Sequence, residues 1–140
     1  MTDPPLSTGP DGKVILVVED ESSLRKLIEL VLQSRGYRVV SANDGVEALR
    51  LFGELGERVS VVLTDLQLPN LNGLELVRAI RAKDRNIPII IASGTLVAWS
   101  LEELKELTVT AFINKPFTTA NLLKTIAEVS ASPRTPGLAH

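Results

Sequence analysis

Val14-Ile15-Leu16-Val17-Val18-Glu19-Asp20-Glu21 runs five apolar residues straight into three acids. A strand buried on both faces of a parallel sheet reads as a continuous apolar run, whereas a half-exposed strand alternates. The acids then stand at the strand's carboxyl end, where open parallel α/β sheets bind their ligands. Asp65 follows the apolar run 59–64 in the same way, Ser93 follows 87–92, and Lys115 follows 109–114. The carboxylates of Glu19, Asp20 and Asp65, the Ser93 hydroxyl and the Lys115 ammonium are thereby expected at one edge of one sheet, a set of groups suited to phosphoryl chemistry.

The chain has 140 residues, 44% of them hydrophobic, enough for one domain with a sizeable core. Strands are predicted at 14–18, 38–41, 59–64, 87–92 and 109–113, alternating with helices at 22–34, 45–55, 73–82, 97–107 and 120–130. Leu24, Leu27, Ile28, Val31 and Leu32 make one helical stripe, ended by Arg35-Gly36, and Leu122, Leu123, Ile126 and Val129 make another. Short connections with right-handed crossovers put helices on both faces of one parallel sheet. Residues 1–12, rich in Pro and Gly, read as a flexible leader, 13–130 as the domain and 131–140 as a flexible tail. Gly9-Pro10-Asp11-Gly12 suits either a leader or the remnant of a linker, and Met1 and the His140 end weigh only weakly toward a stand-alone chain.

Seventeen acidic and 15 basic residues give a formal charge of -2 with no basic run, which argues against direct nucleic-acid binding. The absence of Cys excludes disulfides, thiolate ligands and cysteine nucleophiles. No export signal or membrane-length apolar run is present, so membrane insertion is not expected and a cytoplasmic location is.

Glu19 and Asp20 leave the strand end in different directions and can divide direct and water-mediated contact with one hard cation. Asp20 is the expected direct ligand and Glu19 the ligand through water, with Asp65 and the backbone carbonyl of Gln67 completing a site for Mg2+, or Mn2+ in its place. The same acids suit a helix cap, and capping and metal binding can coexist. Asp65 is the expected phosphoacceptor, because a carboxylate oxygen can attack a phosphoryl donor once a cation offsets their repulsion. An Asp in this context also suits an ordinary turn. In the loop beyond it, Pro69 fixes the chain and Gly73 permits a close approach or an unusual dihedral. Lys115 can pair with Asp65 before reaction and with an acyl phosphate after it, and Ser93 can donate its hydroxyl to a phosphoryl oxygen. Pro116 constrains the loop after Lys115, and a cis bond there aims the ammonium inward.

Residues 13–130 resemble the response-regulator receiver family of two-component phosphorelays. Val17-Val18-Glu19-Asp20-Glu21 is similar to its acidic opening, Asp65-Leu66-Gln67-Leu68-Pro69 to its phosphoacceptor loop, and Ser93 and Lys115-Pro116-Phe117 stand at matching places. The resemblance implies a flavodoxin-like (βα)5 three-layer sandwich with parallel strand order 2-1-3-4-5. It also implies Mg2+-dependent transfer to Asp65 from the phosphohistidine of a histidine kinase or histidine phosphotransfer protein, followed by hydrolysis. Phe112 matches the aromatic that turns inward when the Ser93 hydroxyl moves toward the phosphoryl group, with a downstream protein read by the face of the fourth helix, fifth strand and fifth helix. Leu68 replaces a frequent Met, and Gly94 replaces a common Ala, which loosens the loop. Thr108-Val109 replaces a usual Gly-Ala, which puts the local turn in doubt. Trp99 suits either the core or a partner surface. A stand-alone relay protein and a receiver cut from a hybrid histidine kinase or larger regulator share this chemistry; a non-phosphorylated interaction module is the third reading.

Overall fold

The computed structural model describes residues 13–94 and 98–131, with the side chains of 98–101 and 131 outside the description. The expected leader, all of the expected tail but residue 131, the first residue of the expected fourth helix and the side chain of Trp99 therefore lie outside the described residues. Among the described residues five strands, β1 Val14–Val18, β2 Val39–Ala42, β3 Val59–Thr64, β4 Ile89–Ser93 and β5 Ala111–Asn114, form one parallel sheet in the order β2-β1-β3-β4-β5. Helices α1 Ser22–Ser34, α2 Gly45–Leu55, α3 Gly73–Lys83, α4 Ala98–Glu106 and α5 Thr119–Ala131 connect and follow them. Among the described residues no helix is long and apolar enough to cross a membrane.

Every residue of β1 is buried, and alternate side chains enter different halves of the core. Val14, Leu16 and Val18 pack with Ala48 and Phe52 of α2, Leu76, Val77 and Ile80 of α3, and Leu104 of α4. Ile15 and Val17 pack with Ile28 and Leu32 of α1 and Leu122, Ile126 and Val129 of α5. The sheet is thus sandwiched between α2, α3 and α4 on one face and α1 and α5 on the other. Most of the predicted α1 stripe turns inward, but Leu27 is half exposed and lines an apolar cleft with Pro116 and Phe117.

Two strands begin later than their apolar runs suggest, for reasons of hydrogen bonding. The Ile87 N–H is taken by the Asp84 carboxylate (3.1 Å) and Pro88 has no N–H, so β4 starts at Ile89. The Val109 N–H caps α4 by donating to the Leu104 carbonyl (3.2 Å), and β5 starts only at Ala111. β4 extends through Ser93, which pairs in register with Asn114.

Candidate functional site

The acids at the end of β1 have separate jobs. Glu21 caps α1, its carboxylate accepting the Leu24 N–H (2.9 Å) and the Ser23 hydroxyl (2.6 Å), and these bonds, Ser23 first, lower its pKa. Glu19 is 3% exposed and points across the sheet edge. One of its oxygens accepts the Lys115 ammonium (2.7 Å), and the other accepts the Glu21 N–H (3.1 Å). Asp20 remains exposed.

Asp65 follows β3 beside them. Its N–H continues the ladder to the Val18 carbonyl (3.2 Å), which fixes its place against β1. Oδ2 accepts the Lys115 ammonium (2.7 Å), and Oδ1 accepts the Gln67 N–H (3.1 Å). Lys115 therefore bridges two buried carboxylates. Burial pulls its pKa down, but the hydrogen bonds to Asp65 and Glu19 outweigh that and leave it above the ordinary lysine value. The peptide bond that follows, Lys115-Pro116, is cis.

Glu19, Asp20 and Asp65 each offer an oxygen within 4.8 Å of the others. That donor set fits Mg2+, a hard cation that uses one or two carboxylates and keeps several waters, and the exposed Asp20 leaves room for them. Ser93, 1% exposed, ends β4 next to this cluster, and its carbonyl accepts the Lys115 N–H (3.0 Å). Phe112 stands apart. It is three residues, about 10 Å of extended strand, before Lys115, and its side chain faces solvent with the residue 40% exposed.

Loop residues are placed by steric fit. Gly73 allows close approach: a Cβ there would lie 2.2 Å from the Asp65 carbonyl oxygen. A Cβ on Gly94 would meet the Lys115 Cβ at an ordinary 3.9 Å, so position 94 has room for the common Ala. The Pro69 carbonyl accepts the Leu71 N–H (2.7 Å), closing a tight turn around Asn70. Sequence reasoning missed Arg25, whose guanidinium holds the Glu19 carbonyl (2.9 Å), and Gly45, where a Cβ would sit 1.9 Å from the Leu71 carbonyl oxygen. The only signal for Arg25 was its place one turn into α1; Gly45 gave none, because its neighbour comes from a distant loop.

The sequence profile of the response regulator receiver domain matches residues 15–127. Vibrio cholerae CAI-1 autoinducer sensor kinase/phosphatase CqsS is 36% identical over 126 residues, covering 88% of this chain and 18% of that protein. The chain thus spans less than a fifth of that relative. The crystal structure of Vibrio cholerae chemotaxis protein CheY4 superposes with a TM-score of 0.77 at 32% identity, covering 84% of this chain and 98% of that one. The receiver domain of sensor histidine kinase PA1611 from Pseudomonas aeruginosa, with magnesium coordinated in its active-site cleft, superposes with a TM-score of 0.75 at 32% identity, covering 86% and 99%. A match that begins inside β1 and ends inside α5 takes in every strand of the sheet and every group gathered at its carboxyl edge: the chain belongs to the response regulator receiver domain family.

Proposed function

We propose that Asp65 accepts a phosphoryl group from the phosphohistidine of a histidine kinase or histidine phosphotransfer protein in the cytoplasm. The observation that carries this reading is the convergence of Glu19, Asp20 and Asp65 within 4.8 Å beside the Lys115 ammonium. An Asp65 carboxylate oxygen attacks phosphorus, an O–P bond forms, the N–P bond of the donor breaks, and its electron pair returns to the imidazole nitrogen. Asp20, Asp65 and the Gln67 carbonyl would hold Mg2+ directly, with Glu19 contributing through water. Bound there, Mg2+, or Mn2+ in its place, offsets the repulsion between the carboxylate and the phosphoryl oxygens. Lys115 exchanges its contact with the Asp65 carboxylate for a phosphoryl oxygen, and Ser93 donates its hydroxyl to another. Attack of water on phosphorus then returns the Asp65 carboxylate and releases inorganic phosphate.

Readout follows from Ser93 and Phe112: movement of the hydroxyl toward the phosphoryl group opens space into which Phe112 turns, changing the face of α4, β5 and α5 that a downstream protein reads. No direct nucleic-acid contact is part of this function. The same chemistry serves a receiver within a hybrid histidine kinase, a reading favoured by the likeness to the sensor kinase CqsS.

Mass spectrometry after treatment with Mg2+ and a small phosphodonor tests the assignment. Wild-type protein is expected to gain one phosphoryl group and Asp65→Asn none, because the amide keeps the shape and loses the nucleophilic charge. Asp20→Ala should weaken Mg2+ binding and labelling together. Equal labelling of Asp65→Asn would overturn the phosphoacceptor, and an unlabelled wild type would leave a non-phosphorylated interaction module.

A further inference from the structure

The loop between Asp65 and α3 is pinned at two places, and Gln67 lies between them. The inner pin is Gly73, whose N–H donates to the Leu66 carbonyl (2.8 Å) and whose missing Cβ makes room for the Asp65 carbonyl. The outer pin is the start of α2. Leu71 places its carbonyl oxygen where a Cβ on Gly45 would be, 1.9 Å away, so any larger residue at 45 displaces the loop. Asp44, just before it, uses both carboxylate oxygens. Oδ1 caps α2 by accepting the Glu47 N–H (2.8 Å), and Oδ2 accepts the Asn70 amide (2.8 Å). These bonds, the Glu47 N–H first, hold the Asp44 carboxyl below its usual pKa. Asn70 itself sits at φ 70, a left-handed conformation that Asn tolerates better than most residues.

The α2 cap is complete without Asn70, since Oδ1 alone makes it. The second bond serves the loop instead. We infer that Asp44 and Asn70 are positioning residues for the phosphoacceptor site: their hydrogen bond, backed by Gly45, latches the loop to α2 and so sets where the Gln67 main chain lies. Gln67 donates its N–H to Asp65 Oδ1 (3.1 Å), and on the function proposed above its carbonyl would be a ligand for Mg2+. The positioning role rests on the functional reading of Asp65 and of the Gln67 carbonyl, whereas the hydrogen bonds of the latch itself do not.

Mg2+ titration of the unphosphorylated protein, with amide hydrogen exchange at Gln67, tests the latch without any turnover. Asn70→Gly keeps the left-handed backbone accessible, changes no charge and removes the amide; it should weaken Mg2+ binding about tenfold, the lower end of the effect of outer contacts on metal sites, and speed exchange at Gln67. Asp44→Ser keeps a helix cap and should shift both readings the same way. Asn70→Asp sets two carboxylates against each other, whereas combining it with Asp44→Asn restores a donor facing an acceptor at unchanged net charge. The combined protein should regain wild-type Mg2+ affinity. Wild-type affinity in Asn70→Gly, or a combined protein no better than Asn70→Asp in Gln67 exchange, would overturn the latch. A wild type that binds Mg2+ but takes no phosphoryl group would instead overturn the functional reading, with the latch still judged on the same titrations.

Discussion

Lys115 holds two carboxylates that repel one another, so its removal is felt by both. In Lys115→Met, Glu19 and Asp65 remain buried side by side with no counterion, a change that costs ~3–5 kcal/mol when all partners are fully buried. The lysine side chain is 20% exposed, and solvent screening reduces the expected loss to about 2 kcal/mol. Because the folded pKa of Lys115 is raised, its stabilisation is complete below the unfolded lysine value of about 10.5 and disappears as pH rises through the higher folded value. Urea unfolding should therefore show a constant gap between wild type and Lys115→Met from about pH 7 to pH 9, narrowing above about pH 11; a gap that persisted there would contradict the charge argument. Asp65 and Lys115 could be singled out from sequence because each directly follows an apolar strand. The engagement of Glu19 with Lys115 could not, since it joins residues 96 positions apart and depends on the width of the sheet between β1 and β5.

The connection from α4 to β5 carries a local conflict that packing resolves. Thr108 occupies φ 56 at the position after the helix where Gly is usual, and a β-branched residue is poorly suited to it. Two contacts from α3 hold the turn, the Arg81 guanidinium donating to the carbonyls of Leu107 (2.7 Å) and Thr108 (2.9 Å), while a third bond to the Asp84 carbonyl (3.2 Å) ties the guanidinium to the end of its own helix. Arg78 adds an exposed ion pair to Glu103 of α4 (2.6 Å), worth little by itself. Thr108→Gly should stabilise the protein by about 1 kcal/mol, the approximate cost of a left-handed non-glycine residue, less the Thr108 hydroxyl bond to the Leu107 carbonyl (2.6 Å), which is exposed. A lower urea midpoint in Thr108→Gly would mean that the hydroxyl bond outweighs the backbone term. The sequence exposed the misfit at Thr108-Val109 but not its remedy. Apolar periodicity assigned Val109 to a strand, and only the helix-capping bond to Leu104 shows why the strand starts two residues later.

The two halves of the sheet bring different groups to its carboxyl edge. β1 and β3 bring the acids, and β4 and β5 bring Ser93 and Lys115, joined by the Lys115 N–H on the Ser93 carbonyl. A hydroxyl bond to a charged acceptor contributes roughly 1.5–3 kcal/mol, whereas carrying a two-state equilibrium from one extreme to the other takes about 5.5 kcal/mol. On the proposed switch, Ser93 would thus supply part of such a bias but not all of it, leaving the rest to Lys115 and a cation held by the acids. Ser93→Ala should still be labelled at Asp65, while its phosphoryl-dependent amide shifts at Phe112 and in α4 shrink without vanishing. Loss of labelling in Ser93→Ala would move Ser93 from readout into the reaction. Labelled wild-type protein with no shift at Phe112 or α4 would remove the switch altogether and leave a domain that stores and passes on phosphate, with its partner-facing surface unchanged.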